Sequence, residues 1–260
     1  MRNKSLILAD QVDGVVTLTL NRPDQYNALS EELLAELQHN LDVIAQDDEL
    51  YCVVIAAAGK AFCAGHDLKQ MRSQPDQDYY EGLFTRCGRV MQSIVNLPVP
   101  VIAKVQGMAT AAGCQLVASC DLAIAADTAR FAVSGINVGL FCATPAVALT
   151  RNMPAKKAFE MLMTGRFISA NEAMSYGLIN QVVTAAQLDG AVASLVQTIC
   201  AKSPVAVRAG KDMFYRQLGM GLADAYEYAG AAMACNMMAD DAGEGIDAFM
   251  QKRAPVWRGS

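Results

Sequence analysis

Two stretches of the sequence repeat one pattern of small residues behind an apolar run. Val53–Gly65 reads VVIAAAGKAFCAG, and Val101–Gly113 reads VIAKVQGMATAAG. In each, two glycines stand six positions apart: Gly59 and Gly65, then Gly107 and Gly113. Small residues at a strand-to-helix turn let another backbone or a ligand come close. Main-chain N–H groups at a helix start point outward and can hold an oxygen that carries negative charge. Two such turns side by side could present one N–H each to a single oxygen, which is an oxyanion hole made of main chain. For one such turn, tight helix–strand packing is the better reading. The second copy favours the functional one.

Such turns need strands before them and a helix after. Val101–Val105 reads as a buried strand, Ala109–Gly113 as the small-residue turn, and the next apolar run as a helix ending near Ser119. Leu122–Ala125 reads as a second buried strand. Two similar units predict neighbouring strands of one sheet, with loops opening on the same edge. Upstream, apolar runs Leu6–Ala9 and Val15–Leu20 around Asp13-Gly14 predict a hairpin. Ser30 before Glu31 and Glu32 predicts a helix start, with Leu33, Leu34, Leu37, Leu41 and Ile44 at helical spacing.

Asp67-Leu68-Lys69 is expected to open a short helix, with Asp67 as its N-cap rather than a base. Arg72–Asp78 is expected to be a mobile loop. A helix over about 79–95 ends at Pro98-Val99-Pro100. Thr144-Pro145 reads as a cap with a first-turn proline. Ser169 caps a helix to Tyr176, and Asn180–Val183 reads as a last strand. Beyond about residue 186 the chain reads as helical, with Met213, Met220, Met233, Met237 and Met238 as core filler. No low-complexity linker intervenes. The reading is one α/β fold, with a core over residues 1–200 and a helical extension over 201–260.

The 260 residues suffice to bury roughly 70–75% of the unfolded surface. Composition is 53% apolar and 18% charged, which argues for a globular chain. A formal charge of -5 argues against a nucleic-acid surface but leaves room for an anionic small ligand. The eight cysteines are scattered with no C-x-x-C, and they read as reduced, buried small hydrophobes. With a first strand expected almost at the N-terminus and no leader recognised, the expectation is a cytoplasmic protein. No membrane span is expected. Only His39 and His66 could add imidazole to a zinc site, so no metal is expected.

Signatures of dinucleotide enzymes, P-loop ATPases, zinc proteases and α/β-hydrolases are absent. The motifs present resemble the crotonase (enoyl-CoA hydratase/isomerase) superfamily. They are Leu20-Asn21-Arg22-Pro23 with Asn27-Ala28-Leu29, Ala61–Lys69, Pro98–Ala103, Gly107–Asp121, Leu162–Gly165, Glu244-Gly245 and Lys252-Arg253. The resemblance spans nearly the whole chain. It implies a ClpP-like spiral of ββα units with a helical C-terminal trimerisation region, as a homotrimer or a hexamer of paired trimers. It implies an acyl-CoA thioester as ligand, with coenzyme A arriving as part of the substrate and no separate cofactor.

By position, the resemblance assigns the oxyanion N–H groups to His66 and Ala112. Ala112 stands where a glycine is common, and its N–H serves only if alanine can take the needed φ. CoA contacts fall on Ala28, Ala64, Asp67, Leu68, Lys69 and Lys252, and a lysine suits phosphate as a point charge. The two glutamates of family hydratases are replaced by Gln115 and Gly135. Gln can orient water but cannot act as a general base near neutrality, and such catalysis typically contributes about 10²–10⁴-fold. An aspartate used by dienoyl-CoA isomerases is also missing near Ala143.

The expectation is therefore a nominal enoyl-CoA hydratase/isomerase in which hydration itself is in doubt. A non-catalytic acyl-CoA-binding or regulatory protein, a decarboxylase and a thioesterase remain alternatives. The His66 ring is expected to pack at the pocket mouth. Ser134 and Cys142 could face the acyl group, but a Cys nucleophile needs an activating partner, and none is visible.

Overall fold

The computed structural model describes residues 5–260. Asp13 and Gly14 both take positive φ, 49° and 73°, as a tight hairpin turn requires. They join β1 (Ile7–Val12) to β2 (Val15–Leu20) in antiparallel register. Then a unit repeats three times, a long strand followed by a short one. These are β3 (Cys52–Ala57) and β4 (Ala61–Cys63), β5 (Val101–Val105) and β6 (Met108–Thr110), β7 (Leu122–Ala126) and β8 (Arg130–Ala132). Two further strands are β9 (Ile168–Ser169) and β10 (Gln181–Val183).

The long strands form a six-stranded sheet in the order β1-β2-β3-β5-β7-β10, parallel from β2 onward. The short strands form a second sheet, β4-β6-β8-β9, antiparallel only at β8–β9. Strand β3 is buried on both faces, as parallel strands under helices are. Val53 and Ile55 face the main core, which holds Leu18, Leu33, Leu37, Phe62 and Phe131. Cys52 and Val54 face a smaller core with Ile102 and Ile124.

Helices follow from local chemistry. Ser30 Oγ accepts from Leu33 N–H at 3.3 Å and opens α1 (Glu31–Ile44), whose predicted leucine stripe is buried. Asp67 caps α2 (Leu68–Ser73). Asp76 then caps α3 (Gln77–Asn96) by accepting from Tyr79 N–H at 3.0 Å. That second cap overturns the loop expected over 72–78, because only Gln74, Pro75 and Asp76 lie between the two helices. Every residue of α4 (Ala112–Ser119) is buried. The next helix, α5 (Ala143–Asn152), begins before Thr144, so Thr144 is not its cap. After α6 (Ala155–Thr164), α7 (Ala170–Ser175) starts with a full capping box between Ser169 and Glu172. Leu188 and Val192 of α8 (Leu188–Cys200) cover the smaller core.

Three helices complete the chain: α9 (Pro204–Gln217), α10 (Leu222–Met237) and α11 (Asp240–Met250). A buried charge fastens α9 to the core. Lys211 Nζ donates to Asp121 Oδ2 at 2.7 Å, Val99 O at 2.9 Å and Ile94 O at 3.1 Å. Asp121 also accepts from Tyr215 OH and from Val101 N–H. The methionines expected as core filler are mostly outside it: Met220, Met233, Met237 and Met238 are exposed. Six of the eight cysteines are buried as expected, and all eight are free thiols. Among the described residues no single helix is long and apolar enough to cross a membrane, and no cluster of His, Cys, Asp or Glu could hold a metal ion.

Candidate functional site

Strands β4 and β6 pair in parallel, so the turns that follow them are adjacent. Thr110 Oγ1 donates to Ala64 O at 3.0 Å and ties one turn to the other. Gly65 takes φ +92°, and a Cβ there would stand 2.9 Å from Ala111 Cβ and 3.3 Å from Ala112 N. A Cβ on Gly113 would stand 2.1 Å from Cys63 O. The glycines are therefore demanded by close packing, which was the plainer of the two readings. The same packing brings two helix-entry backbones together.

His66 follows Gly65. Leu29 N–H donates to Gly65 O at 2.7 Å, and Asp67 N–H donates to Leu29 O at 3.3 Å, so the chain is gripped on both sides of His66. The His66 N–H itself donates to no acceptor among the described residues. Across the gap, Ala111 N–H donates to Ala132 O at 2.9 Å, and Gln115 N–H donates to Ala111 O at 3.0 Å. Ala112 is the first residue of α4, where an N–H has no intrahelical acceptor. The unusual backbone lies one residue earlier than expected. Ala111 carries φ 49° and ψ -120°, a strained conformation for a residue with a side chain, costing on the order of 1–3 kcal/mol.

The side chains of His66 and Gln115 on these turns are neutral. The His66 ring meets Phe84 edge to face, with centroids 5.4 Å apart, and Phe84 stacks on Tyr80. Both ring nitrogens are buried; neither makes a hydrogen bond of good geometry among the described residues, and the Leu29 backbone lies close enough to offset part of the effect of burial on the ring. Burial lowers the His66 pKa to about 4, so the imidazole is uncharged at neutral pH. Gln115 is 4% exposed, and its Oε1 also lacks a partner among the described residues. Gly135 lies in the 3-10 turn Ser134–Val138. A Cβ there would stand 2.5 Å from Leu140 O and 2.7 Å from Cys142 Sγ. Burial pushes the Cys142 thiol pKa up, which works against a thiolate nucleophile.

The family profile for enoyl-CoA hydratase/isomerase matches residues 10–260. The chain belongs to the enoyl-CoA hydratase/isomerase family. It is 47% identical over 247 residues to the mitochondrial enoyl-CoA hydratase domain-containing protein 3 of Rattus norvegicus, covering 95% of this chain and 82% of that protein. The crystal structure of an enoyl-CoA hydratase from Mycobacterium smegmatis superposes with a TM-score of 0.97 at 57% identity, over 98% of this chain and 99% of that one. That of human enoyl-CoA hydratase domain-containing protein 3 gives 0.94 at 46%, over 97% and 100%. These matches bear out the crotonase fold expected from sequence. They overturn the cytoplasmic expectation, since the relatives from Rattus norvegicus, Mus musculus and Homo sapiens are all named mitochondrial. Reduced, buried thiols do not distinguish one reducing compartment from another.

The positions that this hydratase/isomerase family implies for CoA are spread out. Ala28 O accepts from Arg22 Nη1 at 2.9 Å and Ser30 N–H at 3.0 Å, while Ala28 N–H donates to Gln25 O. Ala64 N–H donates to Tyr26 O, and Ala64 O accepts from Thr110. Both alanines thus have their main-chain groups engaged and offer chiefly van der Waals surface. Asp67 is the N-cap expected, accepting from Lys69 N–H and Gln70 N–H at 3.0 and 3.2 Å. It also pairs with Arg22 at 2.8 Å, which helps hold its carboxyl below the usual range against the opposing effect of burial. Leu68 and Lys69 are exposed at the start of α2. Lys252 is exposed beyond α11, which packs on α9 and α10 rather than on α2.

Three supporting residues escaped the sequence reading. Arg22 joins Ala28 to Asp67. Asn27, fully buried, donates through Nδ2 to Ala58 O and Ala61 O, both at 2.9 Å, and fixes the entry to β4. Phe84 forms one wall of the His66 environment. Arg22 and Asn27 stood in quoted motifs, and that was their only signal. Phe84 had none, because its contact with His66 is tertiary.

Proposed function

We propose that the protein binds acyl-CoA thioesters and stabilises a thioester enolate between the N–H groups of His66 and Ala112. The observation that carries this reading is the pair of N–H groups on touching turns, neither engaged by an acceptor among the described residues. When solvent water or hydroxide takes an α-proton, the C–H pair becomes the C=C bond and the carbonyl π pair moves onto oxygen. Two preorganised donors favour that oxyanion, and one is typically worth about 2.7–4 kcal/mol. Lys69, Leu68 and Lys252 are assigned to the CoA portion, with Ala28, Ala64 and Asp67 shaping the cleft. Gln115 orients water or substrate but cannot take the proton, so hydration of an enoyl-CoA is slow.

A second reading is a binding or regulatory protein that holds acyl-CoA without turning it over. Gln115 at the base position and the filled space beside Gly135 favour it. Exchange of the α-protons of butyryl-CoA into D₂O, followed by NMR beside calorimetric binding, separates the two. Exchange above an Ala112→Pro control supports the enzyme. Binding without exchange supports the second reading, and no binding of any CoA thioester removes both.

Assembly as a homotrimer or paired trimers belongs to the same proposal. Leu222, Tyr226 and Met233 of α10 and Phe249 of α11 are all more than 70% exposed, which is apolar surface suited to another copy of the chain.

A further inference from the structure

We propose that Arg22 is a positioning residue, the one that aims the His66 main-chain N–H at the thioester oxygen. The inference rests on the acyl-CoA reading and adds to it what holds one of the two donors in place. Arg22 stands just past the end of β2, and its own main chain is fixed there. Its N–H donates to Asn27 Oδ1 at 2.8 Å, and its carbonyl accepts from Asn27 N–H at 2.9 Å. From that root the side chain, only 20% exposed, reaches two acceptors. Nη1 donates to Ala28 O at 2.9 Å, and Nη2 donates to Asp67 Oδ2 at 2.8 Å.

Those acceptors flank a thin seam. Leu29 and His66 pair as an isolated parallel bridge, outside both sheets. Its hydrogen bonds run from Leu29 N–H to Gly65 O at 2.7 Å and from Asp67 N–H to Leu29 O at 3.3 Å, the second of them long. Ala28 precedes Leu29 and Asp67 follows His66, so the guanidinium spans the seam from one segment to the other. The rigid, planar fork of an arginine suits a clamp with two points of attachment. The opposite turn is held differently, by Ala111 N–H donating to Ala132 O of β8. The spacing of the two donors is therefore set on the His66 side by Arg22.

Asp67 divides its oxygens to match. Oδ1 accepts from Lys69 N–H and Gln70 N–H and caps α2, while Oδ2 takes the arginine. Among the described residues no other cation pairs with Asp67. An ion pair that still meets solvent adds little to stability. Misplacing a group at a reacting centre by ~1 Å can cost about 10²-fold in rate. The clamp should therefore show in how the thioester is polarised more than in how firmly the chain is folded.

Infrared difference spectra of bound butyryl-CoA, labelled with carbon-13 at the thioester carbonyl, test this. Donors aimed at the oxygen weaken the C=O bond and lower its stretching frequency, so the parent protein should lower it below the value in water. Arg22→Met should remove about half of that shift or more, as the loss of one donor of two would. Free coenzyme A, which lacks the thioester carbonyl, should keep its calorimetric affinity within about threefold. Arg22→Lys should recover part of the shift, since one ammonium meets Asp67 or Ala28 O without clamping both. Asp67→Asn keeps a capping oxygen, loses the charge, and should behave like Arg22→Met. A shift kept in full by Arg22→Met, or by Asp67→Asn where Arg22→Met does not fold, would overturn the proposal. So would coenzyme A affinity lost in step with the shift, as a general loss of structure gives. No shift in the parent protein, or no binding of the thioester, would instead remove the two-donor reading beneath it.

Discussion

Cys142 Sγ stands 2.7 Å from the point where a side chain on Gly135 would begin. The second carboxylate of a hydratase is thus missing together with the room for it. Gly135→Ala should destabilise the fold by about 1–3 kcal/mol through overpacking. Adding Cys142→Ala should recover part of that loss, since Leu140 O still stands 2.5 Å from the new Cβ. A double-mutant cycle read by urea unfolding checks it, and strict additivity would show that Cys142 does not fill the space.

Strain at the second turn belongs to Ala111 and not to Ala112. Ala111→Gly relieves an unfavourable positive φ worth about 1–3 kcal/mol and adds a backbone entropy cost of roughly 0.5–1 kcal/mol. The net expectation is a gain of between about 0 and 2.5 kcal/mol. Ala112→Gly has no strain to relieve and should lose a few tenths to ~1 kcal/mol. Denaturant midpoints at unchanged slope distinguish the two, and the reverse order would place the strain elsewhere.

Burial of His66 makes stability depend on pH. Its pKa is about 4 in the fold against an ordinary 6.5. Above pH 6.5 both folded and unfolded chains are neutral at this residue. Between 6.5 and 4 the unfolded chain takes up a proton that the folded chain does not, so stability falls as pH falls, by up to ~3 kcal/mol. His66→Phe should flatten that part of the profile relative to the parent protein. Parallel curves from pH 7 to 4 would contradict a buried neutral imidazole.

Lys211 is the pin of the C-terminal helices. Lys211→Met leaves Asp121, among the described residues, with Val101 N–H and Tyr215 OH, and a broken buried pair of this kind costs about 3 kcal/mol. Hydrogen exchange should rise first in α9, before β5 or β7 is affected. Uniform loss across the chain would mean that α9 is not separately fastened.

Elements fixed by neighbours in sequence were legible. Asp13-Gly14 announced its hairpin, and Ser30 and Ser169 announced their helices. Of the second sheet, only the short strand at Arg130–Val133 was, because β4 and β6 are three residues each, too short for any periodicity to register. The loop over 72–78 was misread because one aspartate, Asp76, can start a helix almost where another ends. At the site, the turns and their glycines were visible. The Arg22–Asp67 pair and the Phe84 wall join residues far apart in the chain and left no local trace. Exposure of Met233 and Met238 was hidden because methionine reads alike in a core and on a contact surface.

Thr110 and Ala64 lock two lengths of main chain against each other, and the donors beside that lock are peptide groups. No ordinary side-chain replacement at 66 or 112 deletes them. The positions that would set the reaction, Gln115 and the loop over 134–142, lie on different pieces of the chain. On the proposed reading, a descendant of this protein can therefore explore new chemistry by altering a handful of side chains, with the two main-chain donors inherited intact. A laboratory null must be written the other way, as an imino acid. Position 112, at the first turn of a helix, suits proline's own φ, while Ala111 before it at φ 49° and ψ -120° must shift toward the extended region to accept it.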